Sequence, residues 1–220
     1  TRGEIMASGV DNYLGEALGQ LYVKKYFPES AKKRMLVLVN NVQKAYAARI
    51  DKLEWMSDST KVKAKEKLAA ITKKIGYPDK WTDYSKVNIS KGTYFENITS
   101  ASAASFDREL AKLGKPVDKT KWYTTVPTVT AYNNPSANEI VFPAGILQPP
   151  YFDNNADDAL NYGGIGMVIG HEMPHTFDDQ GAQYDKDGNV KNWWKKDDYA
   201  KFKSRIQQVI NQYDTFTVLD

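Results

Sequence analysis

Cysteine is missing altogether from the 220 residues. Its absence excludes a disulfide scaffold, cysteine-based zinc sites and a cysteine nucleophile, and leaves the compartment open. Long apolar runs are missing too. None approaches the roughly 18 residues of a membrane span, and no secretory leader opens the chain. The opening Thr1-Arg2-Gly3 reads as an interior or processed end. Neither sign of charge dominates: 30 basic against 27 acidic residues leave a net charge of +3. That is too little for a nucleic-acid surface, which needs a concentrated basic face. A hydrophobic fraction of 41% and a charged fraction of 26% exclude a disordered chain. Histidine is the last scarcity and the most informative. There are two, His171 and His175, within five positions of each other.

What is present divides the chain in two. Residues 1–115 read as a mainly helical region. Val10, Leu14, Leu18, Leu21 and Tyr22 recur at helical spacing until Pro28, and Met35, Leu38, Val39, Val42, Tyr46, Ile50 and Leu53 keep that period to Trp55. Ser57-Asp58-Ser59 offers N-cap chemistry to a third helix carrying Val62, Leu68, Ile71 and Ile75, closed by Gly76-Tyr77-Pro78. Lys61, Lys63, Lys65, Lys67, Lys73 and Lys74 read as its solvated face. A polar loop covers 77–92, and a helix from Thr93 to Leu113 stops at Gly114 and Pro116.

Residues 116–220 differ in character. Trp122 to Tyr132, rich in Thr, Val and aromatics, suits a strand, Asn133-Asn134-Pro135-Ser136 a turn, and Glu139 to Phe142 a returning strand. Asn161 to Phe177 reads as one Gly-rich apolar helix and Lys196 to Tyr213 as the last helix. The expected fold class is α+β and mainly helical, with a short antiparallel sheet. No low-complexity linker separates the two regions, so the helical one is expected to pack directly on the other.

His171-Glu172-Met173-Pro174-His175 is an H-E-x-x-H motif. On a helix, positions i and i+4 share one face, so both imidazoles can meet one ion. Neutral imidazole suits zinc, and Glu172 could take a proton from water. A catalytic zinc site needs a third protein ligand. No third His exists and no Glu follows Glu172. Asp178, Asp179, Asp185 and Asp187 lie close to the motif. Asp178 and Asp179 fall at the expected helix end, where a hydrogen-bonding role toward the ligands suits them better than ligation. Pro174 has no N–H for the Gly170 carbonyl and its ring crowds that carbonyl. A bend between the histidines and a displaced His175 are therefore expected.

Asn161-Tyr162-Gly163-Gly164-Ile165-Gly166-Met167-Val168-Ile169-Gly170-His171-Glu172 resembles the active helix of the neprilysin and endothelin-converting-enzyme family of zinc endopeptidases. Val141 to Pro150, Phe177-Asp178-Asp179-Gln180-Gly181, Trp55-Met56 and Ile75-Gly76-Tyr77-Pro78 carry the same resemblance. The lack of cysteine is closer to the bacterial oligopeptidase O branch, with a secreted, periplasmic or cell-surface location. The resemblance implies that residues 1–115 belong to a helical domain. It makes 116–220 part of a thermolysin-like (gluzincin) catalytic core that cleaves oligopeptides on the N-terminal side of hydrophobic residues. It makes His171 and His175 ligands of one Zn2+ and Glu172 the general base. Thr130 and Ala131 would lie on the strand that pairs with substrate backbone, and Ile146, Tyr151, Met167 and Val168 would line the side-chain pocket.

Three departures stand out. Thr130 takes the place of an Asn, Asn133 that of an aromatic residue, and Pro174 that of Thr or Ser. The family's third ligand, a Glu in a Gly-Glu-Asn motif, would lie beyond Asp220, so the site needs downstream residues. The competing expectation is a non-catalytic pseudopeptidase or peptide-binding module. Glu172 weighs against it, because a binding module needs no general base.

Overall fold

The computed structural model describes residues 1–217. Helix α1 (Arg2–Tyr26) bends at Leu14, whose φ of −131° and ψ of 31° are not helical. Pro28 separates it from α2 (Glu29–Asp51), and α3 (Asp58–Ala69) follows. The third helix does not reach Ile75: it stops at Ala69, and Thr72–Gly76 forms strand β1. Ile71, Thr72 and Ile75 are β-branched and suit a strand, but pairing with a distant segment decides it. Gly76 ends the strand at φ 75°, and a Cβ there would run into the Phe27 ring. Helix α4 (Tyr94–Leu110) opens on a capping box. The Thr93 hydroxyl accepts the Glu96 N–H at 3.2 Å and the Glu96 carboxylate accepts the Thr93 N–H at 2.8 Å.

Strand β2 (Tyr132–Asn134) is much shorter than the expected strand from Trp122, and 122–131 is irregular. It turns into β3 (Glu139–Pro143), and the sheet order is β1-β3-β2. Thr72 N–H donates to the Asn138 carbonyl and Ala144 N–H to the Gly76 carbonyl. The two pairs advance together, so β1 runs parallel to β3. The sheet is mixed, not antiparallel throughout. A parallel pair needs a long crossover, and here the connection contains α4.

The chain forms two compact units, each drawn from both sides of residue 115. The first comprises Thr1–Leu36, Lys74–Ala131 and Val141–Ile165. Its core holds Phe27, Met35, Val126, Phe142, Leu147 and Phe152. Arg34 clamps the stretch before α5 (Asp158–Gly163), donating to the Asn154 and Ala156 carbonyls and to Asp158.

The second unit comprises Val37–Lys73, Tyr132–Ile140 and Gly166–Asp220. Leu38, Val39, Leu68, Ile140, Ile169 and Met173 form its core. Trp55 stacks on Trp194 at a centroid distance of 6.0 Å, and Trp194 on Phe202 at 5.2 Å. Phe202 belongs to α7 (Lys196–Tyr213), which has the bounds read from the sequence. Ser57 does not cap α3 with its side chain. Asp198 of α7 ties down the start of that helix from 141 residues away, accepting the Ser57 N–H at 3.2 Å and the Thr60 hydroxyl at 2.6 Å. No helix among the described residues is long and apolar enough to cross a membrane.

Candidate metal centre

The expected helix from Asn161 to Phe177 is interrupted twice. Gly164, at φ −86° and ψ −95°, ends α5. Helix α6 (Ile165–Glu172) starts afresh and buries Ile165 and Ile169, four residues apart on one face. Pro174 makes the second interruption, and a 3-10 turn runs from Pro174 to Thr176. His171 therefore lies in the last turn of α6 and His175 in the turn beyond.

The break does not pull the histidines apart. Their Nε2 atoms are 3.2 Å from each other, with the rings nearly perpendicular at 88°. Two nitrogens each about 2.0–2.1 Å from one tetrahedral ion would stand about 3.3–3.4 Å apart. The expected displacement of His175 is thus not observed. The backbone stays helical through Met173 and tightens only after Pro174, which keeps the i and i+4 side chains on one face.

Asp178 orients His175. Its Oδ2 lies 2.5 Å from His175 Nδ1, while its Oδ1 accepts the N–H groups of Gln180 at 3.0 Å and Gly181 at 2.8 Å. A proton held on Nδ1 by a carboxylate leaves Nε2 with a lone pair for an ion. Asp179 turns elsewhere, accepting from the Gln180 side chain at 3.0 Å. Glu172 is buried. Burial pushes its carboxyl above the usual range, and the nearby imidazoles of His171 and His175 offset part of that rise. Among the described residues no group of three or more His, Cys, Asp or Glu side chains gathers as a ligand set.

Residues that sequence reasoning passed over hold this segment. Lys67, read as part of a solvated face, is 1% exposed. Its Nζ donates to the carbonyls of Thr176 at 2.7 Å and of Gly181 and Tyr184 at 2.6 Å each. Burial pushes the ammonium down to about 8, against the pull of Asp185 and Asp178. Gly181 sits where a Cβ would strike the His175 carbonyl, so the loop can fold back under the motif only with glycine there. Asn133 Nδ2 donates to the Glu172 carbonyl at 3.2 Å and to the Thr176 hydroxyl at 2.9 Å. Tyr46 Oη donates to the Gly170 carbonyl at 3.0 Å.

Two models described as peptidase family M13 match residues 1–78 and 130–220. The chain belongs to peptidase family M13. Mouse endothelin-converting enzyme 1 is 40% identical over 99% of the chain, and the neutral endopeptidase of Lactococcus lactis subsp. lactis 42% over 93%. The open-state structure of the Mycobacterium tuberculosis zinc metalloprotease Zmp1 superposes with a TM-score of 0.88 at 51% identity over 99% of the chain. PepO from Lactobacillus rhamnosis gives 0.84 at 34% identity over 94%. The chain spans 29% and 33% of the two curated relatives, and 34% and 33% of the two solved chains.

The residues that the sequence resemblance assigns to substrate divide between the units. Thr130 and Ala131 lie half-buried in the first, just before β2. Ile146 is buried there too, and Tyr151 is 39% exposed. Met167, 61% exposed, and the half-buried Val168 lie on α6 in the second unit. Lys67 and Tyr46 gave no chemical signal of their own in the sequence. Asn133 did, as a polar residue where the resemblance called for an aromatic one.

Proposed function

We propose that this chain carries one part of the active site of a zinc endopeptidase that cleaves oligopeptides on the N-terminal side of hydrophobic residues. The observation that carries the reading is the approach of His171 and His175 Nε2 to 3.2 Å, with His175 Nδ1 engaged by Asp178. Family M13 membership supports it. His171 and His175 would hold the ion, and a downstream Glu would complete the set. Zinc, when bound, supplies Lewis acidity at the scissile carbonyl. Glu172 takes the proton of the attacking water on its carboxylate and passes it toward the leaving amine. Asp178 keeps the proton of His175 on Nδ1. The family resemblance assigns substrate backbone to Thr130 and Ala131, and the hydrophobic side chain to Ile146 and Tyr151 of the first unit and to Met167 and Val168 of the second. Two imidazoles alone hold zinc loosely, so residues 1–220 alone are expected to show little peptidase activity.

The test is Glu172→Gln in a chain that extends through the third ligand. The amide keeps the shape and removes the proton acceptor. Turnover should fall by at least about 10²–10⁴-fold while zinc content stays unchanged. Near-normal turnover would remove Glu172 from the mechanism.

A further inference from the structure

Pro174 leaves a gap in the backbone between the two histidines. Helix α6 is regular up to it: Met173 keeps φ −65° and ψ −41°, and its N–H donates to the Ile169 carbonyl at 3.0 Å. The next rung would run from the N–H of residue 174 to the Gly170 carbonyl, and proline has no N–H to give. That carbonyl belongs to the peptide plane joining Gly170 to His171. A helical carbonyl without its donor tilts outward and bends the helix. Such a tilt would turn His171 away from His175.

The Gly170 carbonyl nevertheless has a donor. Tyr46 Oη reaches it at 3.0 Å from α2, 124 residues away in sequence. Tyr46 and Gly170 belong to the same compact unit, and Tyr46 is half-buried. We propose that Tyr46 is a positioning residue for the His171–His175 pair, supplying through its hydroxyl the hydrogen bond that Pro174 cannot. This rests on the reading of the two histidines as a metal pair. The hydrogen-bond substitution itself does not. Tyr46 touches neither imidazole and acts only through the Gly170–His171 peptide. The two residues form a compensating pair: the tyrosine matters because the proline is there.

A double-mutant cycle tests the pair, using Tyr46→Phe, Pro174→Thr and the combination in the chain that includes the third ligand. With Pro174 in place, Tyr46→Phe should weaken zinc binding about five- to tenfold, the worth of one hydrogen bond. It should also lower the urea midpoint of the metal-free protein and shift the visible bands of the cobalt form. In the Pro174→Thr background, a backbone N–H takes the Gly170 carbonyl. There the same change should cost less than about twofold in zinc affinity and leave the cobalt bands in place. Equal losses in both backgrounds, or none in either, would overturn the proposal. Coupling in the metal-free midpoint without coupling in zinc affinity would also overturn it, by reducing Tyr46 to a structural contact. If none of the four proteins binds zinc, the metal reading fails and the positioning role with it. The coupling in metal-free unfolding would then remain as a property of the fold.

Discussion

His171 and His175 are four residues apart and held by different means. His171 closes α6, where the apolar face of Ile165 and Ile169 seats the helix and the backbone bonds are local. His175 sits on a 3-10 turn after a proline, its ring held by Asp178, and the loop behind it hangs from Lys67. The first histidine is placed by that amphipathic pattern, with one bond from outside the helix, Tyr46 Oη to the Gly170 carbonyl. The second depends on polar groups from elsewhere in the chain, Lys67 of α3 and Asn133 of β2 among them. The half of the motif that breaks helical regularity draws more of its support from outside.

The comparison can be broken most forcefully at Lys67. Lys67→Met takes the Nζ donor from the carbonyls of Thr176, Gly181 and Tyr184, and only that of Gly181 keeps another donor, the Tyr184 N–H, at an expected cost of about 3 kcal/mol in urea unfolding. Amide exchange should accelerate over 176–184 and stay unchanged over 165–171. Equal acceleration in both stretches would mean that α6 depends on the same tie, and the contrast would fail.

Asp178→Asn should act more narrowly. Its Oδ1 can still accept the Gln180 and Gly181 N–H groups, but an amide is a poor partner for a proton on His175 Nδ1. Loss of such a carboxylate typically costs about 10–100-fold in metal affinity, measured by chelator competition in the chain that contains the third ligand. The corresponding change at Asp179, which does not engage the histidine, should leave affinity unchanged. A fall of the same size at both positions would assign the effect to lost negative charge, not to orientation.

The smallest effect is expected at Asp198, a polar tie of the same unit that touches no motif residue. Burial pushes its carboxyl up, but the hydrogen bonds from Ser57 and Thr60 outweigh that and hold it below its ordinary value of 3.8. As pH falls, the unfolded chain therefore takes up this proton first. The stabilisation is complete above the unfolded value and is lost as pH falls through the folded one. Asp198→Asn should cost about 1 kcal/mol near neutral pH. It should also flatten the decline of stability below about pH 4 and leave zinc affinity alone. A loss of zinc affinity would show that support for His175 extends across the whole unit.

Much of the architecture was legible in residue order because it is local. A helix opening at Thr93 and a last helix from Lys196 to Tyr213 were both legible, and the turn expected over Asn133 to Ser136 lies at 135–138, with Asn133 and Asn134 in β2. The H-E-x-x-H spacing brought the two imidazoles to one face whether or not the helix between them was perfect. What residue order could not express were contacts made across a hundred residues or more. Thr72–Gly76 became a strand because β3 offered a parallel edge. Lys67 went inward, unlike most lysines, because three carbonyls turn back over α3 and replace its water. Pro174 carried a real local cost, and sequence reasoning placed it correctly at the Gly170 carbonyl. Tertiary packing decided how the Gly170 carbonyl is satisfied: Tyr46 reaches it from α2, since a carbonyl that loses its helical donor can take any donor brought within reach.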